Sequence, residues 1–148
     1  MVKNQRYLYI LFIVLALTVT VALYLNDNRT RPVPDGDISY SNTDFSMHVD
    51  TCIISKSNLF VSGWAAIKNN TTLKRVYITS PDNKNGYNTQ SSRGYDVAKA
   101  IGVPEKSVAR FSSSQVLSKD IHDKKFEIQI IAESESGSLF GGKYVCNK

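Results

Sequence analysis

Two histidines, thirteen Asp and Glu carboxylates and two cysteines are the groups in this sequence whose placement bears first on acid–base, nucleophilic or metal chemistry. His48 lies between Met47 and Val49 in a run that alternates polar and apolar residues. It shares a face with Ser46 and Asp50, which predicts a solvated side chain. His122 falls in the charged connection Lys119–Lys125 (KDIHDKK), flanked by Asp120 and Asp123. A catalytic triad needs a nucleophile, a histidine and an orienting acid to converge in space, and adjacency in one loop does not supply that. Glu133 and Glu135 stand among serines and a glycine in ESESGS, the pattern of solvated turn acids. Glycosidase carboxylates must instead face each other across a cleft. Gly-x-Ser-x-Gly, Ser-x-x-Lys, P-loop and His-Glu-x-x-His motifs are absent from the sequence. We therefore assign no catalytic residue and no cofactor.

The cysteines point to structure. Cys52 and Cys146 are 94 positions apart, far from the Cys-x-x-Cys spacing of redox pairs and from the ligand spacing of a zinc site, so no metal is expected. In an oxidising compartment such a pair becomes a disulfide, here tying the first strand of a domain to the last.

That compartment follows from the N-terminus. Tyr7–Leu25 (YLYILFIVLALTVTVALYL) contains no charge, and as a helix it matches a hydrocarbon core of about 30 Å. Thr18 and Thr20 are its only polar interruptions, and their hydroxyls can bond back to their own helix. Tyr7, Tyr9 and Tyr24 mark the two ends, where amphipathic rings favour the membrane–water boundary. Lys3 and Arg6 precede the segment and Arg29 and Arg31 follow it. The short N-terminal side is expected to stay in the cytoplasm while the long C-terminal part is exported. Thr20-Val21-Ala22 offers small residues to a signal peptidase, but the apolar run continues through Leu23 and Leu25, which favours an uncleaved anchor. The expected organisation is a cytoplasmic N-terminus (1–6), a transmembrane signal-anchor (7–25), a flexible stalk rich in polar residues and proline (26–43) and an extracytoplasmic domain (44–148).

The net charge of +5 carries little weight. Setting aside Lys3 and Arg6 leaves 16 basic against 13 acidic residues, dispersed in runs no longer than Lys74-Arg75 and Lys124-Lys125. A nucleic-acid surface would need them clustered, so nucleic acid is excluded as a partner.

Beyond Thr43 the patterning is that of short strands and turns. Phe45, Met47 and Val49 alternate into Cys52-Ile53-Ile54, and Lys56-Ser57-Asn58 turns the chain. Leu59–Ile67 (LFVSGWAAI) reads as a central strand, and Arg75–Thr79 as the next. Ser80–Ser92 lacks apolar periodicity and predicts a long loop. Tyr95–Ile101 predicts a short helix stopped by Gly102 and Pro104. Ala109–Leu117, Phe126–Ala132 and Leu139–Cys146 complete the strands, the last two joined by a hairpin at Glu133–Ser138. The expected fold is mainly β: an antiparallel, immunoglobulin-like β-sandwich with one short helix, preceded by a single transmembrane helix.

Two sets of residues resemble known patterns. Cys52, Trp64 and Tyr144-x-Cys146 resemble the Cys, Trp and Tyr-x-Cys of immunoglobulin domains. The spacing between the cysteines is too long for that family, and Phe140 and Gly142 are not the usual neighbours of its tyrosine. A second set, Val61-Ser62-Gly63-Trp64-Ala65, then Val76, Arg93-x-Tyr95-Asp96-Val97-Ala98 and Arg110-Phe111, spans roughly 59–111. It is similar to a small β-sandwich module of bacterial cell-envelope proteins, attached to glycosyltransferases and other surface-polysaccharide proteins. That module carries a Gly-Trp-Ala strand, an Arg-x-Asp-Val segment and a Gly-Phe strand. Arg110 stands where its glycine would be, and Tyr95 where proline is common. The resemblance implies a non-catalytic envelope module.

On the residues themselves, Trp64 is expected in the core, because an indole buries a large area and anchors a small domain. Arg93 and Asp96 are spaced to meet around one turn, and Asp96 could cap the short helix. The long loop from Ser80 to Gly94 and the residues that follow it, with Tyr87, Arg93, Tyr95 and Asp96, form the candidate binding site, since loops of that length are often functional. The expected function is that of a membrane-anchored accessory protein that binds another envelope or membrane protein. A glycan-binding module is the alternative, and a small hydrolase or transferase a further one.

Overall fold

A computed structural model describes residues 2–27, 31–55, 58–81, 85–117 and 125–147. His122, most of its charged connection, the Lys56-Ser57 turn and residues 82–84 of the expected long loop lie outside the described residues.

The apolar segment forms helix α1 (Val2–Asp27), of which Tyr7–Asn26 is long and apolar enough to cross a membrane and contains no residue buried in the protein. Thr18 and Thr20 donate their hydroxyls to the carbonyls of Val14 and Ala16, each at 2.8 Å, so neither presents an unpaired polar group to its surroundings.

Ten strands follow among the described residues: β1 (Arg31–Pro32), β2 (Ile38–Ser39), β3 (Phe45–Ser55), β4 (Asn58–Ile67), β5 (Leu73–Thr79), β6 (Asn85–Gly86), β7 (Thr89–Arg93), β8 (Val108–Val116), β9 (Lys125–Ser134) and β10 (Leu139–Asn147). Helix α2 (Tyr95–Ile101) lies between β7 and β8. One sheet has the order β2-β10-β9-β5 and the other β3-β4-β8-β7, and β1 pairs with β6. With β3, β4, β5, β7, β8, β9 and β10 read as strands A to G, the sheets are GFC and ABED, the constant-type immunoglobulin arrangement. The fold is an antiparallel β-sandwich of that topology; among the described residues only the short β2–β10 pairing is parallel.

Alternation along the strands fills the space between the sheets. Leu59, Val61, Ala65 and Ile67 of β4 point inward with Phe111 of β8, against Val76 and Ile78 of β5 and Ile128 and Ile130 of β9. A bulge at Asp50 resets this alternation on β3. Val49 and Cys52 are three residues apart and would face opposite sides of a regular strand. With the extra residue both join the core, and Cys52 reaches Cys146 on β10, with Cα atoms 5.7 Å apart. The disulfide closes strands A and G, whereas immunoglobulin domains bridge B and F. The topology therefore matches that fold while the Cys, Trp and Tyr-x-Cys pattern does not.

Gly63 makes the bulge possible. A Cβ at this position would stand 2.1 Å from the His48 carbonyl and 3.0 Å from both the Val49 Cα and the Phe111 ring. The glycine of the Gly-Trp-Ala run is thus a point of close backbone approach.

Part of the stretch expected as a stalk belongs to the sandwich. Arg31 and Pro32 pair with Gly86 and Asn85, and Ile38 and Ser39 run alongside Leu139 and Phe140. Tyr77, Ile131 and Leu139 form an apolar cluster on the outer side of the first sheet, and Val33 and Ile38 cover it. The composition of 26–43 gives little sign of this, because two apolar residues suffice to hold the strap once the sheet supplies the other half of the contact.

The long loop is also an underestimate of structure. Thr89–Arg93 (TQSSR) forms the edge strand β7, paired with β8 from Thr89↔Ser113 to Arg93↔Ala109. An edge strand with largely solvated side chains needs no apolar alternation, so its sequence resembles a loop.

Candidate functional site

The outer face of the β3-β4-β8-β7 sheet carries the chain's most developed polar constellation among the described residues. Register brings His48 of β3, Trp64 of β4 and Arg110 of β8 side by side: His48 pairs with Trp64, and Trp64 with Arg110. The imidazole lies over the indole, with ring centroids 6.2 Å apart and planes 29° from parallel.

Trp64 was expected in the core. It is half-buried instead, packed on a satellite cluster of Ala66, Val97, Ala98 and Val108 beneath α2. The near-continuous apolar run of β4 conceals an ordinary period of two. Val61, Ala65 and Ile67 take the inward positions, so the indole takes an outward one.

Arg110 organises the charges. Its Nε donates to Asp96 Oδ1 at 3.2 Å and its terminal nitrogen to Asp96 Oδ2, a two-point pair that ties α2 to the sheet. A second guanidinium nitrogen is 3.9 Å from Asp50 Oδ2, and His48 Nε2 is 3.7 Å from Asp50 Oδ1. The guanidinium beside it holds the Asp96 carboxyl below the usual carboxylate range, and Asp96 in turn raises the Arg110 pKa. The bulge on β3 is what sets Asp50 into this network.

The expected partnership of Arg93 with Asp96 does not form. Arg93 is exposed, and among the described residues it makes no ion pair. Gly94 occupies the N-cap of α2 with no side-chain cap, and Asp96 sits in the first turn with its carboxylate turned to β8. The helix ends as expected, at Gly102 in the left-handed conformation ahead of Pro104. Tyr87 is only 5% exposed and belongs to the core, so of the four expected loop residues it cannot meet a ligand. Tyr95 is exposed at the start of α2, and only Asp96 joins the site through a direct contact.

Between Arg110 and the β7 edge lies a depression of about 360 Å³, lined among others by Asp50, Ser62, Gln90, Ser92, Arg110 and Ser112. The side chains of Ser62, Gln90, Ser92 and Ser112 make no hydrogen bond among the described residues, leaving their donors and acceptors for solvent or a ligand. No protein-family model matches this chain, and no curated protein does. The character of the site therefore rests on its own geometry. Two carboxylates share one guanidinium, hydroxyl and amide groups line the depression beside it, and the His48–Trp64 ring pair lies on the same face. The face offers hydrogen-bonding groups and an aromatic surface rather than a net positive charge.

Glu133, expected as a solvated turn acid, is 6% exposed and lies on β9. Its carboxylate accepts from Lys74 Nζ at 2.6 Å and from the Tyr77 hydroxyl at 2.8 Å. Burial pulls its pKa up, but Lys74, Tyr77 and Arg75 outweigh burial and hold it below the usual value. The Tyr77 hydroxyl is raised by burial and by Glu133. The turn itself is shorter than expected, because β9 continues through Ser134. No group of three potential metal ligands occurs among the described residues.

Sequence reading missed Arg110 and Asp50 as partners. The visible signal was Arg110 between inward-facing Ala109 and Phe111, which places a charge on the outer face. What it would meet there depends on which strands lie alongside.

Proposed function

We propose that this chain is a non-catalytic, single-pass membrane accessory protein of the cell envelope, and that it binds a partner through the outer face of the β3-β4-β8-β7 sheet. The cluster of Arg110, Asp96, Asp50 and His48 beside Trp64 carries the reading. It is a pre-organised, accessible polar surface on rigid strands, bordered by side chains with free hydrogen-bonding capacity. The apolar α1 and the Cys52–Cys146 disulfide support placement of the domain outside the cytoplasm, with α1 as the anchor in the inner membrane. The similarity of residues 59–111 to the Gly-Trp-Ala envelope module supports a link to surface-polysaccharide assembly, with a membrane protein of that process as the partner.

The test is affinity purification of the full chain from native membranes in mild detergent, followed by mass spectrometry. One control keeps α1 and replaces residues 44–148 with an unrelated exported domain, and another carries Arg110→Glu. A stoichiometric envelope protein lost from both controls supports the proposal and names the pathway. A protein retained by the domain-swap control would bind the anchor, and the reading would fail.

A glycan ligand is the second reading, favoured by a His48–Trp64 ring pair on the same sheet face as the free hydroxyls that line the depression. Trp64 is the only tryptophan, so its emission reports directly on this face. A saturable emission change on titrating surface oligosaccharides into the full chain, abolished by Arg110→Glu, would move the assignment to glycan binding.

A further inference from the structure

Three large apolar side chains on the outer face of the β3-β4-β8-β7 sheet are left uncovered. Ile53 is 55% exposed, Phe60 40% and Val116 52%. Ile53 and Phe60 are cross-strand partners, and Val116 pairs with Asn58, two residues from Phe60 on the same face. Diagonal neighbours of this kind lie about 7–8 Å apart, so the three form one patch at one end of the sheet. Single exposed apolar residues need no explanation, but a contiguous patch on a small domain marks a contact surface.

The anchor lies close to that end. From Asp27, the last residue of α1, to Arg31 at the start of β1 the chain spans four residues, a reach of at most about 14 Å. Arg31 pairs with Gly86, and Asn88, two residues further on, borders a depression of about 400 Å³ with Phe60, Gln90 and Ser112–Ser114. Tyr24 of α1 lines the same depression. A ring near the end of a membrane-spanning helix sits at the headgroup level, and Phe60 borders the same space.

From this geometry we infer that the Ile53–Phe60–Val116 patch is seated on the lipid bilayer, its apolar side chains entering the boundary between headgroups and acyl chains. The inference rests on the proposed membrane anchoring by α1. The domain then does not sway freely on a stalk. It is held in one orientation, with Trp64 about 13 Å further along β4 from Phe60, so the Arg110 cluster is presented at a set height above the membrane.

The test uses the full chain reconstituted in phosphatidylcholine vesicles, with Phe60→Trp and Trp64→Phe combined so that residue 60 carries the only indole. Retention with the vesicles after an alkaline carbonate wash reads the anchoring alone. Emission of the residue-60 indole is then measured with lipids brominated high on their acyl chains and, separately, with aqueous acrylamide. Seating on the bilayer predicts blue-shifted emission, at least twofold quenching by the brominated lipid and weak quenching by acrylamide. Adding Ile53→Asp and Val116→Asp should abolish the lipid quenching while the Cys52–Cys146 disulfide still forms, which separates release from misfolding. A chain that is retained but quenched only by acrylamide overturns the inference and leaves the anchoring intact. Blue-shifted emission without lipid quenching, together with concentration-dependent crosslinking, overturns it in favour of a second copy on the patch. Loss of the chain in the carbonate wash removes the anchoring reading and this inference with it.

Discussion

Arg110 on β8 and Asp96 on α2 are fastened by a two-point ion pair between elements that share no backbone ladder. The pair lies outside the main core and beside Trp64, on the face proposed for recognition. It fixes how the short helix leans on the sheet, and through Asp50 it extends to His48.

Because this pair is solvent-exposed, its loss should be felt locally rather than globally. Asp96→Asn is expected to leave the melting temperature nearly unchanged while speeding amide exchange in 95–101. The depressed Asp96 pKa gives the sign of the pH effect. The pair holds at neutral pH and above the unfolded carboxylate value, and it is lost as pH falls through the lower folded value. Protection of the α2 amides in the native chain, taken relative to the intrinsic exchange rate at each pH, should therefore fall only in acid, and in Asp96→Asn it should show no such step.

The Cys52–Cys146 bridge closes a 94-residue separation. On the chain-entropy model a loop of this size stabilises by about 4–5 kcal/mol, so a Cys52→Ser/Cys146→Ser double variant should lose about that much in urea unfolding. Reductant should destabilise the native chain by a similar amount and leave the variant unaffected.

Glu133→Gln keeps the size of the side chain but removes the charge that Lys74 and Tyr77 address. A loss of about 1–3 kcal/mol is expected. Tyr77→Phe should cost less, since Lys74 still meets the carboxylate. The folded pKa of Glu133 is depressed, so its contribution is complete above about pH 5 and disappears as pH falls through the folded value. Chemical denaturation between pH 2 and 7 should show a loss of stability in acid that is smaller in Glu133→Gln than in the native chain.

Gly63→Ala tests the close approach of β3 to β4. The added carbon would collide with backbone at 2.1 Å, which a side-chain adjustment cannot relieve. The variant should lose several kcal/mol or fail to accumulate, with the bulge straightened and Cys52 turned from Cys146. Ser62→Ala, one residue away on the outer face, is the matched control and should leave stability within about 0.5 kcal/mol of the native chain.

The amino-acid sequence alone was enough to specify what depends on neighbours along the chain. A run of apolar residues long enough to cross a membrane, the Phe45–Met47–Val49 alternation, the stop of α2 at Gly102 and the hairpin before Leu139 are local signals, and each has its counterpart in the structure. The disulfide was equally legible, because two cysteines leave a single pairing. Tertiary structure alone decided which side each residue faces and what it meets there. One extra residue at Asp50 reverses the parity of β3, and no composition argument predicts it. Trp64 and Arg110 are 46 positions apart and become neighbours only through the β4–β8 register. Tyr87 turns inward, Glu133 finds Lys74 and Tyr77, and Val33 and Ile38 cover an outer cluster, all through pairings between distant segments. Local patterns record a residue's own preference for burial, whereas a site is made of contacts whose partners are set by the pairing of strands far apart in the chain.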